Sequence, residues 1–494
     1  MSDSGRVVVI GTGPAGAAAA VFLSRAGLEP LILEAGSGKA SLGLTVRIRG
    51  LTLAKLKPSF GRREDLTMVG DPAAELFEKL APGGLSNHWS CAVPRFAPDD
   101  FADATRAGEL YTWPISYAEL APWYDRVEPL LRIAGSKRDS VRLPAARVSE
   151  AWDLGSEWDA VTREAWKVGR DVVAMPYAYG AQTTLTRAAT AFNAFRRLVK
   201  PIERDGGLSV RFSARALQLE WSPAERRVVA VIARNPCTGS EQRIPCRAVV
   251  LAAGAVNTAE ILLQSMSADF PTGLGNAHGL VGRYLHDHPL AKLVIDIGDA
   301  VPVAPASYVT RAALEQSSPL YAAAFMQWAG ATARGRSLLS STPGRISRLG
   351  FSIFGTMAPS SDDFVALEAS PHAAQPARLL CALRHPPAAI RVLEQARDEL
   401  MQILTRAGWA PRIAAYHLEA PGNSVHYGGT CRMHASPRFG VVDGNCRIHG
   451  VGNVLVADSA VFTTGPEKNP VLTAMTLAAR GSKLLADDLQ AGDL

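Results

Sequence analysis

The apolar run Arg6-Val-Val-Val-Ile10 passes directly into Gly11-Thr-Gly13-Pro-Ala-Gly16, and that into an alanine-rich stretch closed by Gly27. No other part of the chain restricts its fold so tightly. The β-branched run reads as a buried strand and residues 15–26 as a helix. A GxGxxG loop between such a strand and helix opens a dinucleotide-binding unit. Gly11 permits the tight turn, Gly13 lets the backbone approach a pyrophosphate, and Gly16 lets helix and strand pack closely. Pro14 and Ala15 stand where the helix opens, with its free N–H groups and positive dipole end toward the phosphates. Leu31-Ile-Leu33 supplies the second strand. Glu34, followed by Ala35, stands at its end, 18 residues beyond Gly16. A carboxylate there accepts from a ribose 2′-OH and repels a 2′-phosphate, which disfavours NADP. The loop alone does not separate NAD from FAD.

The chain has 494 residues, room for two domains or one large interleaved unit. Its 47% hydrophobic and 20% charged residues exclude a disordered or fibrous chain. A net charge of +6, with no run of like charge, makes no stripe for a nucleic acid. The six cysteines form no CxxC pair and no zinc spacing, so a reduced, cytoplasmic protein is expected. The start of the chain shows no signal-peptide pattern. The longest charge-free stretch, 316–333, holds Ser, Pro, Gln and Gly and reads as core rather than a membrane span.

Residues 40–82 read as short strands and loops, and 113–133 as a helix pair, with Ser116 and Glu119 capping the first helix and Pro122 opening the second. Residues 208–252 alternate as a β-meander returning to a buried strand at Ala248–Ala252, and a helix follows over 258–264. Residues 286–424 lose the glycine-loop patterning. They hold β-like runs (KLVIDIG, GFSIFGTM) and a helix over 388–407. From about 425 the chain is glycine-rich again and ends in a helix over 469–485. The expected division is 1–285 with 425–494 as a discontinuous nucleotide domain and 286–424 as a substrate domain. Parts of 40–80 and 140–200 are left open as contributors to the second.

Further blocks narrow the reading. They are GGLSNHWSCAVPRF (83–96), VVLAAGAVNTAEILLQS (249–265), VGRYLHDHP (281–289), SVHYGGTCRMH (424–434) and GVVDGNCRIHGVGNVLVADSAVFTTGPEKNPVLTAMTLAA (440–479). With the N-terminal loop and WPISYAELAPWYDRVE, the chain resembles the glucose–methanol–choline (GMC) oxidoreductase family. The His-Trp-Ser-Cys-Ala run most resembles the branch of pyranose oxidases, glycoside oxidases and aminoglycoside-oxidising relatives. The resemblance implies FAD and an α/β fold. In that fold a Rossmann-like FAD-binding domain of the GMC and p-hydroxybenzoate hydroxylase type carries an α+β substrate domain built on an antiparallel sheet. It implies oxidation of a primary or secondary alcohol, on a sugar, glycoside or amino sugar, to the carbonyl. Oxygen or another electron acceptor then reoxidises the flavin. A few members of the family are lyases that cleave cyanohydrins, and that alternative stays open.

The resemblance also assigns roles. Hydride would pass to flavin N5 and the hydroxyl proton to His426, with Asn469 as the second group on the substrate oxygen. Asn469-Pro470 is also a helix-start pair, and both roles can hold. The glycines after His426 would let backbone approach the ring. Gly83, Gly84, Ser86 and Asn87 would wrap the flavin, Ser90 would lie near N5, and His88 matches a histidine bonded covalently to flavin in some relatives. Covalent and reversible binding stay open. Ala253, with Asn257 and Thr258, would lie near the dinucleotide. Asp458, Ser459, Asn469, Pro470 and Thr473 would make the second FAD contact. His286, Asp287 and His288 lack metal-ligand spacing, so no metal is expected. His434, where the family often has Gly, and His449 receive no role. Cys91 and Cys431 read as small buried hydrophobes. Asp362, Asp363 and Glu368 read as a solvated loop, the alternative being partners for an amino-sugar ammonium. The partners implied are a small hydroxylated substrate and an electron acceptor, with no nucleic acid and no membrane.

Overall fold

The structure, a computed structural model, describes residues 5–494 except 39–44, 49–50, 56–60, 64, 103–107, 141, 180–191, 303, 313–319, 328–344 and 369–377. Strand β1 (Val7–Ile10), helix α1 (Pro14–Arg25) and strand β2 (Leu31–Leu33) form the expected unit. β1 and β2 are buried at every position; α1 and the carboxyl-terminal helix pack on their sheet, and so does the strand Arg227–Arg234 of the meander. That sheet runs Ser209–Arg211, β2, β1, Ala248–Leu251, Val451–Val456, Arg447–Ile448. Its first five strands are parallel and in register at Ser209 with Leu31, Val8 with Leu31, Val7 with Ala248, and Val249 with Val454. The last strand is antiparallel. The carboxyl-terminal helix Val471–Ala491 packs against α1, which joins the two ends of the chain in one layer. The meander Arg215–Ser222, Arg227–Arg234, Glu241–Pro245 lies beside this sheet, tied to it where the Val228 N–H donates to Asn453 Oδ1 at 3.1 Å.

A second sheet runs Val172–Ala174, Ser307–Val309, Ala322–Gln327, Arg345–Gly355, Leu290–Pro302, Arg412–Leu418, antiparallel throughout. The amphipathic helix Pro387–Arg406 covers one face, burying Ala291, Leu293 and Ile295 from the sheet against Leu393, Leu400 and Leu404. The opposite face, carrying Leu290, Lys292 and Phe354, turns toward the nucleotide-binding sheet. Mixed α/β architecture with a sheet-rich second layer is therefore what the chain folds into.

Local expectations differ in a few places. Residues Tyr117–Leu131 form one helix, not a pair. The Ser116–Glu119 capping box forms as read, but Pro122 and Pro129 lie inside the helix. Each removes one N–H donor, and burial of Leu120, Tyr124, Val127 and Leu131 keeps the helix continuous. The helix expected from 258 begins at Ala255, directly after Gly254 (φ +89°). In the last helix Pro470 is the capping residue rather than the first helical one, and the helix continues to Ala491. Most of 316–333 lies outside the described residues. Its described part holds the strand from Ala322. All six cysteines are free and all but Cys237 are buried. No described helix is long and apolar enough to cross a membrane.

Candidate active site

A cavity of about 590 Å³ extends from the glycine loop to the carboxyl-terminal helix, within the ~300–1,000 Å³ range of cofactor and ligand pockets. At one end, Gly11 to Ala15 line it together with Glu34, Ala35 and the Ala252–Asn257 segment. Gly11 has φ +105°, and a Cβ there would sit 2.4 Å from Ala252 O. A Cβ on Gly16 would sit 2.2 Å from Gly11 O, so Gly16 serves packing and stays off the cavity wall. At Gly13 a Cβ would meet nothing within 4 Å. The loop is thus open at its middle glycine and closed at the outer two. No side chain caps α1, so its first N–H groups face the cavity as an anion cradle. Glu34 Oε1 accepts the Gly36 N–H at 2.8 Å, while Oε2 accepts the Thr12 hydroxyl. Thr12 Oγ1 in turn accepts the Gly83 N–H at 2.8 Å. Burial pushes the Glu34 carboxyl above its ordinary range, and the Thr12 and Gly36 hydrogen bonds oppose it.

At the other end stand His426 and Asn469. The Asn469 amide nitrogen lies 3.2 Å from His426 Nε2, which makes Nε2 the unprotonated ring nitrogen. Phe354 stacks on the imidazole (centroids 5.6 Å apart, 25°), and His288 meets it edge-on at 5.0 Å. The His288 ring is itself tied through Nδ1 to Gly355 O at 3.1 Å. Behind the ring, Asp287 Oδ1 accepts the His426 N–H at 2.7 Å and the Ser424 hydroxyl, and Oδ2 accepts the Ser424 N–H at 3.1 Å. Val425 between them is held at φ +60°, a left-handed backbone costly for a β-branched residue. Burial, then the neighbouring His288 and Lys292, push the His426 pKa well below the ordinary imidazole value. Its ring is neutral near pH 7 and able to take a proton.

Of the residues singled out by sequence, Gly11, Gly13, Pro14, Ala15, Glu34, Ala35, Gly84, Ser86, His88, Ser90, Ala253, His426, Asp458, Ser459, Asn469 and Pro470 lie on one cavity wall or another. Gly83, Asn87 and Thr473 do not. Gly83 (φ +93°) packs on Asn193, whose Nδ2 would meet a Cβ at 2.3 Å. Asn87 is spent on the carbonyls of Pro82 and Gly84 and on Asn193. Thr473 turns into the core and bonds Tyr124 OH at 2.7 Å, because Val471 and Ala474 already occupy the cavity face of that helix. Asp458 lines the wall, but its carboxylate is committed to the N–H groups of Gly254 and Ala460 and to the Thr258 hydroxyl. The glycines after His426 serve a different neighbour from the one expected. Cβ atoms at Gly428 and Gly429 would meet the His286 ring at 2.6 and 2.5 Å. Asp363 is buried and ion-paired to Arg384 at 3.2 Å rather than solvated, and neither it nor Asp362 lines the cavity. His434 is structural, its ring bonded to Glu109 O and the Ser436 N–H.

Sequence reasoning missed several lining groups. Arg63 is buried with Nη1 on Asn257 Oδ1 at 2.8 Å and Nη2 on Glu260 Oε2 at 2.6 Å. Glu78 lines the same region, its Oε2 buried. Lys292 and Phe354 come from the second sheet. Only Lys292 carried a signal, as a cation alternating with apolar residues in a strand that one sheet face buries.

A parallel nucleotide sheet, an open glycine cradle and a histidine–asparagine pair on one continuous cavity define an FAD-dependent oxidoreductase. The comparisons with known proteins are specific. The FAD binding domain family matches residues 6–315 and the GMC oxidoreductase family residues 359–478. Paromamine 6′-oxidase of Streptomyces fradiae is 26% identical over 98% of this chain and 91% of its own length. 2-Methyl-1,2-propanediol dehydrogenase of Mycolicibacterium austroafricanum is 26% identical over 98% and 96%. Crystalline pyridoxine 4-oxidase from Mesorbium loti superposes with a TM-score of 0.65 at 16% identity, covering 97% of this chain and 99% of its own, and so shares the fold. The chain belongs to the GMC oxidoreductase family, and its cofactor is FAD.

Proposed function

We propose that the chain oxidises a carbinol of a small sugar-like molecule to the carbonyl, with His426 as the base and Asn469 as its partner on the substrate oxygen. One observation carries this: Nε2 of His426 and the Asn469 amide stand 3.2 Å apart on the wall of the cavity that begins at the glycine loop. The chemistry FAD would supply when bound is that of a hydride acceptor for the carbinol carbon. The glycine loop and the α1 N-terminus would hold its pyrophosphate, Glu34 its ribose, and the 84–90 segment with Ser459 and Pro470 its ring. His426, neutral and buried, takes the hydroxyl proton at Nε2. The Asn469 amide donates to the oxygen as negative charge develops on it. Phe354 and His288 hold the imidazole plane, and Asp287 holds the backbone that presents it. The two relatives, named for paromamine and for a propanediol, support a small hydroxylated substrate. The division into residues 1–285 with 425–494 and 286–424, with parts of 40–80 and 140–200 contributing to the second, is part of the same reading, the second unit roofing the substrate.

Anaerobic mixing of the holoenzyme with sugars, glycosides and polyols tests the reading. Bleaching of the flavin by at least one alcohol is expected, followed by recolouring on admission of air or an artificial acceptor. Substrate cleavage with an unbleached flavin would instead indicate a lyase. Acid precipitation reads out the bond at His88, a yellow pellet assigning covalent FAD and a colourless one reversible FAD.

A further inference from the structure

Within that reading of the site, we propose that Lys292 anchors the substrate and that the substrate is an alcohol bearing a carboxylate rather than an ammonium group. Lys292 lies on the strand Leu290–Pro302, next to the edge of its sheet, opposite Ser352 on one side and His417 on the other. Its odd-numbered neighbours Ala291 and Leu293 point into the core under the helix Pro387–Arg406. The side chain therefore emerges on the face that roofs the cavity, beside Leu290 and Phe354, and Phe354 stacks on His426. A group held there reaches the same compartment as the reacting oxygen.

The charge of Lys292 has no ion-pair partner among the described residues. Its ammonium donates to Ser352 Oγ at 2.8 Å. An ammonium has three donors, so two are left for a ligand. Of the carboxylates that line the cavity, Glu78 faces Arg63 and Arg215 through space, and the other three are hydrogen-bonded or ion-paired away from Lys292. Glu34 receives Thr12 and Gly36, Asp458 receives Gly254, Ala460 and Thr258, and Glu260 pairs with Arg63. Asp287 is consumed by Ser424 and His426. Glu419, just past the end of the neighbouring edge strand Arg412–Leu418, acts on Lys292 through space, and it faces His417 at 4.0 Å. A half-buried cation without a counter-ion is costly, and its desolvation pulls the Lys292 pKa down. A substrate carboxylate supplies the missing partner. An amino-sugar ammonium meets a like charge instead, and Asp362 and Asp363, the acids that could have received it, are off the cavity.

The test titrates FAD-loaded protein at low ionic strength with glucuronate, glucose and glucosamine, following the perturbation of the flavin spectrum. The expected order is glucuronate, then glucose, then glucosamine, with about 10-fold or more between the first and last. Lys292→Met should erase the order, and Lys292→Arg should keep it. Glucosamine binding as tightly as glucuronate, or no order among the three, overturns the proposal in the wild type alone, whether or not the Met variant folds. So does a flavin spectrum or potential shifted in ligand-free Lys292→Met with the order unchanged, because Lys292 would then be serving the flavin. Bleaching is scored separately. An intact order without bleaching counts against alcohol oxidation, whereas bleaching without the order counts against the role of Lys292.

Discussion

Asp287→Ala tests how the fold aims the base. The buried Asp287 carboxylate accepts the N–H groups of Ser424 and His426 and the Ser424 hydroxyl, and it holds Val425 at φ +60°. Each hydrogen bond to a charged acceptor contributes about 1.5–3 kcal/mol. The left-handed backbone at Val425 stores about 1–2 kcal/mol that the loop releases once it is freed. In Asp287→Ala the presenting geometry would leave the Ser424 and His426 N–H groups unpaired, at about 1–3 kcal/mol each, and would keep the Val425 strain, so it is disfavoured by at least about 3 kcal/mol. At 1.4 kcal/mol per decade, flavin reduction slows about 100-fold. Asp287→Asn keeps one acceptor oxygen and should lose about 10-fold. Anaerobic stopped-flow absorbance measures the rate, with FAD content as the control. Reduction by Asp287→Ala at the wild-type rate, with FAD retained, would refute the reasoning. In the Asp287→Ala background, Val425→Gly should recover part of the rate, since glycine adopts φ +60° without the steric penalty.

Asn469→Ala removes the donor to the developing oxyanion, and kcat should fall about 10²–10³-fold with FAD still bound; a drop in bound FAD alone would make the residue a cofactor contact only. The pH profile follows from two shifts. Burial lowers the His426 pKa well below 6.5, so the base stays neutral as pH falls past neutrality, while burial raises Asp287 to about 6, so its clamp begins to neutralise there. The rate should be level from pH 8 to near 6 and fall below it; a limb at pH 7 or above contradicts this. Thr473→Val breaks the bond to Tyr124 and should cost about 1 kcal/mol in thermal or denaturant unfolding without changing FAD content. Gly16→Ala drives a Cβ to 2.2 Å from Gly11 O and should yield FAD-free or insoluble protein.

The parts of the site built locally were legible in the sequence. Strand, glycine loop, helix and terminal acid follow from periodicity and turn chemistry over residues 6–34. His426 and Asn469 stood in blocks that carry their own context. What local pattern does not encode is the direction of a side chain on a known element. Thr473 sits in the right helix but one helical step off the cavity face, and Asn87 in the right loop but turned to brace it. Asp363 read as solvent-facing because nothing near it in sequence announces Arg384. Arg63, Asn257 and Glu260 meet only through tertiary folding across almost 200 positions. Lys292 gains its meaning from the sheet that crosses over the nucleotide half. Pro122 in Tyr117–Leu131 argued for a break that buried side chains override.

The most direct measurement is single-turnover reduction of the bound flavin in His426→Ala without oxygen, using whichever alcohol bleaches the wild type. The account predicts a yellow, FAD-loaded variant whose reduction is slowed by at least about 10²-fold, the usual contribution of a positioned base. Reduction at an unchanged rate would remove His426 from proton transfer and with it the account of this cavity.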